Sequence, residues 1–344
     1  MRSTASALLH RAFGAAGYRL LRLSFLRQLG ERYPELQLAL GEAAGKPVAA
    51  TGPTPDLGLS FDDPALRALE RDYALHPAGA VGAWGGKGFK DDIALDRFRG
   101  DNRYVWQGAL AGPMQHLIAC DYLQREDRLG LFESLEEDGA FGAQLFDWNG
   151  KRMVSRDLID SALELNFLER AIGVSGIAGL GVLDIGAGYG RMGHRLARGL
   201  PNLGRYFGTD AVPLSSYICA AYLRWRGVDP LAHAVPLTAI DAALAAAPPV
   251  HLALNIHSFS ETARASIRWW LDLLARHRVR YLMLVSNDGE RFLSYEADGS
   301  RQDFAPDIAA AGYRLQAKAD KYAGAPQSQK HGLYPAIYHL FSMD

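Results

Sequence analysis

The amino-acid sequence predicts an α/β protein built around a doubly wound, mostly parallel sheet. From about residue 155 onward, short continuous apolar runs alternate with helical segments. Strands that are apolar on both faces belong in a parallel sheet that helices cover on both sides. A glycine-rich turn directly follows the first apolar run, as in folds that bind a nucleotide at the carboxyl edge of the sheet.

The predicted domain begins with a helix in the segment VSRDLIDSALELNFLERAIG. Ser155 is a typical N-cap residue, Asp157 favours the first turn, and Gly173 is a typical helix end. Strands and helices then alternate along the chain. The predicted strands are GVLDIG, RYFGTD, VHLALNI, RYLMLVSND and PAIYHLFSM, and the predicted helices between them are RMGHRLARGL, PLSSYICAAYLRWRG and TARASIRWWLDLLARH.

Length and composition limit the classes of protein to which the chain can belong. At 344 residues it is long for one domain. We expect a mainly helical N-terminal region (residues 1–150), which provides a substrate lid and homo-oligomer contacts, and a ligand-binding domain (residues 151–344). The 37 basic and 38 acidic residues nearly cancel, so no nucleic-acid partner is expected. Cys120 and Cys219 are isolated, which favours a reducing, cytoplasmic location.

Residues 1–36 are rich in arginine and leucine. Arg11, Arg19 and Arg22 interrupt any continuous apolar core of the signal-peptide kind. Two interpretations remain open: a helix packed against the rest of the protein, which we favour, or an amphipathic helix that contacts a membrane surface. No apolar run approaches the roughly 18 residues needed to span a bilayer.

The segment VLDIGAGYGRMGHRL places a strand, a glycine turn and a helix start in direct succession. A dinucleotide fingerprint of the form G-x-G-x-x-G requires glycine at position 191, and this chain has Arg191 there. Asp184 precedes the first glycine, where an acid would repel a pyrophosphate and attract an amine. S-adenosylmethionine carries such an amine and has no phosphate. Asp210 follows the second strand, where a carboxylate can accept both ribose hydroxyl hydrogens.

These features predict a class I methyltransferase domain that binds S-adenosylmethionine. The predicted cofactor-binding residues lie in the glycine turn and at strand ends: Asp184, Gly186, Ala187, Gly188, Tyr189, Gly190, Asp210, Ala211 and Asn255.

The segments VLDIGAGYGRMG, GTDAVPLSSYICAAYL and, above all, NIHSFSE resemble the sugar O-methyltransferase family found in antibiotic and glycan biosynthetic clusters. VSRDLIDSALELNFL and GLYPAIYHLF fit that family as well, so the resemblance covers residues 80–344. It implies a Rossmann-like fold and transfer of a methyl group from S-adenosylmethionine to a hydroxyl of a sugar or glycosylated natural product.

A sugar hydroxyl is a very weak acid, so a positioned base assists its methylation. His257 and Asp288 are the predicted catalytic residues because each follows a central strand. Ser258 to Glu261 match an S-x-x-E capping box, which would begin the next helix at this point. A helix N-terminus there would lower the pKa of His257 and keep its imidazole neutral. The other interpretation of His257 is a structural residue satisfied by the cap.

The sequence favours a site without a metal, because Asn255 ends the fourth strand and hard cations prefer more carboxylate oxygens. His194 is predicted to be a surface or packing residue. Further candidates for contact with a small-molecule substrate are Trp84, Lys87, Arg103, Glu261, His331 and Tyr334. Three alternatives remain: an inactive methyltransferase-like binding subunit, a methyltransferase of a non-sugar small molecule, and a nicotinamide-dependent oxidoreductase, which Arg191 disfavours.

Overall fold

Seven strands form the central sheet in the computed structural model, which describes residues 23–32, 52–79, 83, 93–100, 102, 105, 112–148, 150 and 152–343. A separate two-stranded hairpin precedes them. The strands in chain order are β1 (Phe146–Trp148), β2 (Arg152–Val154), β3 (Leu180–Ile185), β4 (Leu203–Thr209), β5 (Ala232–Ala234), β6 (Leu252–Ile256), β7 (Tyr281–Val285), β8 (Arg314–Asp320) and β9 (Ile337–Ser342).

The described helices surround this sheet. They are α1 (Leu23–Arg32), α2 (Pro64–Tyr73), α3 (Pro113–Glu126), α4 (Leu131–Ser134), α5 (Arg156–Ile172), α6 (Arg191–Gly199), α7 (Pro213–Trp225), α8 (Ile240–Ala246), α9 (Arg264–Arg276), α10 (Ala305–Ala310) and α11 (Pro326–His331). Short 3₁₀ turns lie between several of them.

The sheet has the strand order β5-β4-β3-β6-β7-β9-β8. All neighbours are parallel except β9, which runs antiparallel to both β7 and β8. This is a Rossmann-like, mostly parallel sheet, and it confirms the predicted α/β fold class. The five predicted strands are present, whereas β5 and β8 were missed. β5 is only three residues long, and β8 is an edge strand with mostly exposed side chains.

Two apolar cores lie on opposite faces of the sheet, as expected for a doubly wound fold. Alternate residues of β3 point to each: Val182 belongs to one core and Leu183 to the other. The first core also contains residues from α3 and α5, such as Ile118 and Leu158. The second contains residues from α9, such as Trp270. The helices therefore fix the sheet from both sides and leave its carboxyl edge for the site.

The helix α5 has the predicted ends. The Ser155 hydroxyl accepts a hydrogen bond from the backbone N–H of Leu158 at 3.2 Å, and Gly173 follows the last turn with a φ of +61°. Burial extends over most of its length, because α3 covers the side that faces away from the sheet. The N-terminus of α5 lies at the carboxyl edge of the sheet and contributes side chains to the site.

The N-terminal region packs against this domain wherever the structure describes it. In α1, Leu29 is buried and Arg32 forms an ion pair with the buried Asp121 at 2.8 Å, so residues 23–32 follow the packed-helix interpretation. The rest of residues 1–36 lies outside the described residues. The hairpin β1–β2 spans the predicted domain boundary near residue 150, and that boundary stays a prediction. None of the helices in the described part of the chain is long and apolar enough to cross a membrane.

Candidate active site

A cavity of about 850 Å³ opens at the carboxyl edge of the sheet. Its walls come from the glycine turn after β3, the end of β4, the loops after β6 and β7, the first turns of α5, and the segment before β9. The carboxyl edge is where open α/β sheets bind ligands.

The glycine turn folds back onto the end of β4. The backbone N–H groups of Gly186 and Ala187 donate to the carbonyl of Thr209 at 2.9 and 3.1 Å. Gly186 has a φ of +80°, and a Cβ atom there would lie 2.3 Å from the Ser258 hydroxyl oxygen. Glycine is therefore required for a close contact with the loop after β6, as well as for the turn itself.

Gly190 has a different role from the one predicted. It is the N-cap of α6 with a φ of +94°, and it does not line the cavity. A Cβ atom at this position would lie 2.9 Å from the sulfur of Cys219. Its lack of a side chain allows α6 to pack against α7, so Gly190 supports the site without facing a ligand.

Asp210 is held in place by the glycine turn. Its two carboxylate oxygens accept hydrogen bonds from the backbone N–H groups of Gly188 at 3.0 Å and Val212 at 2.8 Å. Burial raises the pKa of Asp210 to about 7, and the neighbouring acids Asp184 and Glu261 act in the same direction. The carboxylate lines the cavity and retains lone pairs for further donors such as ribose hydroxyls.

Asp184 is buried at the end of β3 and also lines the cavity. Its carboxylate accepts a hydrogen bond from the Tyr206 hydroxyl at 2.7 Å. Burial raises the pKa of Asp184 to about 6. Neither Asp184 nor Asp210 forms an ion pair with another described residue. A cationic group in the cavity would therefore stabilise the ionised form of Asp184.

The residues of this half of the cavity fit S-adenosylmethionine. Asp184 offers an unpaired acid to an ammonium group, Asp210 offers oxygens to a ribose diol, and the turn from Gly186 to Gly188 brings its backbone close. Ala187, Tyr189 and Ala211 also line the cavity, and their contact with a cofactor stays a prediction. The Tyr189 hydroxyl donates to Asp157, which also lines the cavity.

The predicted capping box at Ser258 is wrong. Residues 258–261 form a 3₁₀ turn, and α9 begins only at Arg264 with Ala263 as N-cap. The Ser258 hydroxyl accepts from the side-chain amide of Asn255 at 2.8 Å and so is used by the strand end rather than by a helix. The S-x-x-E pattern matched because 3₁₀ and α-helical turns begin with similar residues.

Asn255 holds this loop together instead of lining the cavity. Its amide group donates to the carbonyl of Ile185 at 2.9 Å as well as to Ser258, and its oxygen accepts from the backbone N–H of Phe259 at 2.9 Å. All of its hydrogen-bonding groups therefore join β3 to the loop after β6. Its contribution to cofactor binding is indirect, through the position of the glycine turn.

His257 lines the cavity in a strained backbone conformation, with a φ of +70°. Its Nδ1 atom is enclosed by protein and makes no hydrogen bond with any described residue. This leaves Nε2 as the ring nitrogen that can meet a ligand. The interpretation in which a helix cap satisfies His257 is thereby contradicted. Strained backbone and unsatisfied polar atoms are typical of functional sites.

The pKa of His257 is lowered to about 4, first by burial and then by the positive charge of Arg156. The direction agrees with the sequence prediction, but the cause does not, because no α-helix begins at this residue. The imidazole is neutral at pH 7 and can accept a proton.

A group of charged side chains opposite His257 was missed by the sequence analysis. Arg156, Asp160 and Glu164 recur at intervals of one turn on α5 and face Arg191 and Lys321. Arg156 donates to Asp160 at 3.0 Å, Lys321 donates to Asp160 at 2.6 Å, and Arg191 pairs with Glu164 at 2.7 Å. The available signal was this one-turn spacing of charges on an otherwise buried helix.

The remaining predicted residues fall into three groups. Glu261 and Tyr334 line the cavity. Asp288 and His331 do not line it: the Asp288 carboxylate accepts from Arg301, and His331 ends α11. A base role for Asp288 is therefore disfavoured. Trp84, Lys87 and Arg103 lie outside the described residues.

His194 packs inside the protein, as the sequence suggested. Its ring contacts Tyr222 edge to face, and Nδ1 lies 3.3 Å from the Tyr222 hydroxyl. Within the described part of the chain, no group of three or more His, Cys, Asp or Glu side chains is arranged to hold a metal ion. A metal-free site stays a prediction.

Comparison with known proteins gives only distant structural similarity. No protein-family model matches the chain, and no curated protein matches it significantly. The [4+2]-cyclase SpnF is 16% identical with a TM-score of 0.37, over 58% of this chain and 87% of that chain. Magnesium protoporphyrin IX methyltransferase (ChlM) from Synechocystis PCC 6803, with bound SAM, is 14% identical with a TM-score of 0.36, over 66% and 96%. Mitomycin 7-O-methyltransferase MmcR is 16% identical with a TM-score of 0.37, over 55% and 57%. Similarity at this level leaves the reaction of this chain to be inferred from its own residues.

Proposed function

We propose that this protein is an S-adenosylmethionine-dependent O-methyltransferase that acts on a hydroxyl of a sugar or glycosylated natural product. The observation that carries the proposal is the position of His257, which lines the same cavity as Asp184 and Asp210, two acids without an ion-pair partner. The acids suit the cofactor, and the neutral imidazole suits a hydroxyl acceptor.

The cofactor supplies a methyl group on a positively charged sulfur, which leaves as a neutral thioether when the acceptor oxygen attacks the methyl carbon. The protein holds the acceptor oxygen in line, excludes water and takes the hydroxyl proton on Nε2 of His257. The resulting imidazolium lies opposite Asp160, whose negative charge raises the pKa of His257. A burial-lowered pKa makes His257 a weak base, so we expect proton transfer to accompany methyl transfer rather than precede it.

A hydroxyl-rich acceptor is supported by the polarity of the second half of the cavity. Arg156, Glu261, Asn287, Tyr295 and Tyr334 line it. An acceptor with several hydroxyl groups suits these polar side chains better than a purely apolar acceptor does. The resemblance of NIHSFSE to sugar O-methyltransferases agrees with this chemistry.

The test is the substitution His257→Gln, measured as transfer of a labelled methyl group to a panel of sugars and glycosides. We expect turnover to fall by roughly 10²- to 10⁴-fold. The affinity for S-adenosylhomocysteine in calorimetry should stay within about twofold, because His257 acts on the acceptor. His339→Gln is the matched control, since His339 is also a buried histidine with an unpaired Nδ1 but lies outside the cavity.

Unchanged turnover in His257→Gln would exclude the base role. Tight binding of S-adenosylhomocysteine without transfer to any acceptor would favour the inactive binding subunit. Binding of a nicotinamide cofactor in place of S-adenosylhomocysteine would favour the oxidoreductase. The geometry opposes this last outcome, because the Arg191 side chain is paired with Glu164 at the position where a third glycine would be needed.

A further inference from the structure

Arg156 stands out among the cations of the cavity wall because its hydrogen-bonding capacity is only partly used. Its Nε donates to Asp160 at 3.0 Å, and its guanidinium lies 4.3 Å from the centre of the Tyr334 ring. Its two terminal nitrogens make no hydrogen bond with any described residue. The side chain is 17% exposed and lines the cavity. The Tyr334 ring therefore supports the planar guanidinium of Arg156, whose outer edge can still donate hydrogen bonds.

The other two cations of this wall make more hydrogen bonds than Arg156 does. The ammonium of Lys321 donates to Asp160 at 2.6 Å and to the carbonyls of Leu333 and Tyr334 at 2.9 and 3.1 Å. Arg191 is paired with Glu164 and also donates to Ser161 at 2.8 Å. Arg156 and Lys321 thus share the carboxylate of Asp160. Of these two cations, Arg156 is the one with unused hydrogen-bond donors.

The order of the strands places the charge of Arg156 on the acceptor side of His257. Asp210 follows β4, on one side of β3, whereas His257 follows β6, on the other side. Tyr334 precedes β9, two strands beyond β6. At about 4.8 Å per strand, Tyr334 lies roughly 10 Å beyond the His257 position and roughly 19 Å from the Asp210 position along the sheet. A group bound by Arg156 on Tyr334 is therefore farther from the ribose site than the reacting oxygen is.

We propose that Arg156, supported by Tyr334, binds an oxyanion of the acceptor, so that the substrate is a hydroxylated molecule with a carboxylate or phosphate group. This inference rests on the proposed function, since it names the substrate class of the same site. Two parallel N–H donors of a guanidinium match the two oxygens of either anion. The bound anion also offsets the positive charge of Arg156 beside His257. The base therefore becomes stronger only when the correct acceptor is present.

The experiment follows His257 directly by NMR of the full chain with ring-labelled histidine, assigned with His257→Gln. Acetate and phosphate are the probes, titrated against chloride at equal ionic strength. We expect each anion to raise the pKa of His257 by about one unit, because it neutralises the adjacent charge. The charged groups that face this ring are Arg156, Asp160, Lys321 and Arg191. The anion titration of the wild-type protein alters none of these side chains, and in the Arg156 variants Asp160 keeps its pair with Lys321. A larger effect of phosphate or of acetate identifies which anion the subsite prefers.

Arg156→Met should abolish the anion-dependent shift, and Arg156→Lys should retain part of it. Lys321 still pairs with Asp160 in both variants, which keeps the wall folded. Arg280→Met is the matched control, because Arg280 also lies over a tyrosine ring, at 5.0 Å from Tyr281, but at the opposite edge of the sheet. A His257 resonance that ignores both anions in the wild-type protein, or still responds in Arg156→Met, overturns the proposal.

Cofactor binding distinguishes this inference from its nearest competitor and from the proposed function. If Arg156 instead held the cofactor's carboxylate, Arg156→Met would weaken the binding of S-adenosylhomocysteine. The binding of 5′-methylthioadenosine, which has no carboxylate, would be unchanged. We expect the ratio of the two affinities to be unchanged, and a changed ratio overturns the acceptor subsite. If the wild-type protein binds neither S-adenosylhomocysteine nor 5′-methylthioadenosine, the proposed function is refuted. The anion titration does not depend on cofactor binding, so it tests the Arg156 subsite separately.

Discussion

Asp184 and Asp210 are buried acids that the protein leaves without a cationic partner. Both have a pKa raised above the usual value, to about 6 and about 7, and burial is the main cause in each. A protein with no ligand for these groups would gain stability by replacing them. Their retention beside a glycine turn is consistent with a site that gives up stability in order to bind a cationic ligand.

Asp184→Asn should therefore stabilise the free protein at pH 8 and weaken cofactor binding. The folded pKa is raised, so the acid stabilises the folded state fully only below its unfolded value of 3.8, and this stability is lost as the pH rises through about 6. Chemical denaturation at pH 8 should show a gain of roughly 1–3 kcal/mol in the variant, and much less at pH 4. Calorimetry should show weaker binding of S-adenosylhomocysteine, because the ammonium loses its counter-charge.

Asp241→Asn is the control for Asp184→Asn, because the pKa of Asp241 is lowered whereas the pKa of Asp184 is raised. Asp241 is exposed, and hydrogen bonds from His277 and Arg276 lower its pKa, so removing its charge should stabilise nothing at pH 8. A loss of stability at pH 8 in Asp184→Asn together with unchanged cofactor affinity would contradict the role assigned to this acid.

The sequence revealed these two acids because their position relative to the glycines and strand ends is a local property. It did not reveal Arg156, because a charged residue at the start of a helix is equally expected on the surface. Only packing of α5 against β8 and β9 brings Arg156 next to Tyr334 and Lys321, which are far away in the chain. His257 was found from its strand end, but the cause of its lowered pKa required the burial of its ring.

At the scale of elements, the glycine turn and the loop after β6 form one unit. Gly186 touches Ser258, and Asn255 donates to Ile185 just before the turn. The predicted cofactor-binding residues of the glycine turn and His257 are therefore positioned by the same contacts. The pattern NIHSFSE predicted a strand end followed by a helix cap, whereas in the structure this segment connects two strand ends.

Gly190→Ala tests how the helix after the glycine turn is fixed. The residue has a φ of +94°, and its new Cβ would lie 2.9 Å from the Cys219 sulfur and 3.2 Å from Leu223. We expect a loss of about 2–4 kcal/mol in the free energy of unfolding, from backbone strain and overpacking together. Thermal or chemical denaturation measures it.

Gly179→Ala separates the two causes in this experiment. Gly179 has a φ of +60°, and nothing lies within 4 Å of an added Cβ, so only backbone strain of about 1–2 kcal/mol is expected. Equal losses in the two variants would show that Gly190 is needed for its conformation alone and that close packing of α6 on α7 is unimportant.

At the scale of the whole molecule, a buried ion cluster joins the two sides of the predicted domain boundary. Arg99 is fully buried and donates to Glu137 at 2.9 Å and to Asp157 of α5 at 3.4 Å. Glu137 also pairs with Arg195 of α6 at 2.7 Å. These charges hold the described part of the N-terminal region against the helices that carry the site, so we expect the two to unfold in one transition.

Arg99→Met should lower the free energy of unfolding by about 3–5 kcal/mol, because it removes the buried cation that Glu137 and Asp157 share. The pKa of Glu137 lies well below its usual range because of Arg99 and Arg195. The stability that Glu137 contributes is therefore present above its unfolded pKa and is lost as the pH falls. Because Arg99→Met removes one of the two cations that lower this pKa, the variant should unfold at a higher pH during acid titration. Denaturation curves between pH 3 and pH 8 measure both effects.

Arg67→Met provides the comparison for Arg99→Met. Arg67 pairs with Asp62 on the surface, where the two side chains are 57% and 86% exposed, and its loss should change stability by no more than about 0.5 kcal/mol. If both substitutions had the same small effect, the buried cluster would not hold the N-terminal region in place.

The sequence by itself determined the sheet, the glycine turn and the acids at the ends of the first two strands. Apolar runs, helix caps and glycine spacing act between near neighbours in the chain, so they can be read without coordinates. The tertiary structure decided the rest: the packing role of Gly190, the loop contacts of Asn255, and the wall that Arg156 and Lys321 form opposite His257. Burial and the charges of distant segments set these properties, and both depend on which elements meet when the sheet is covered.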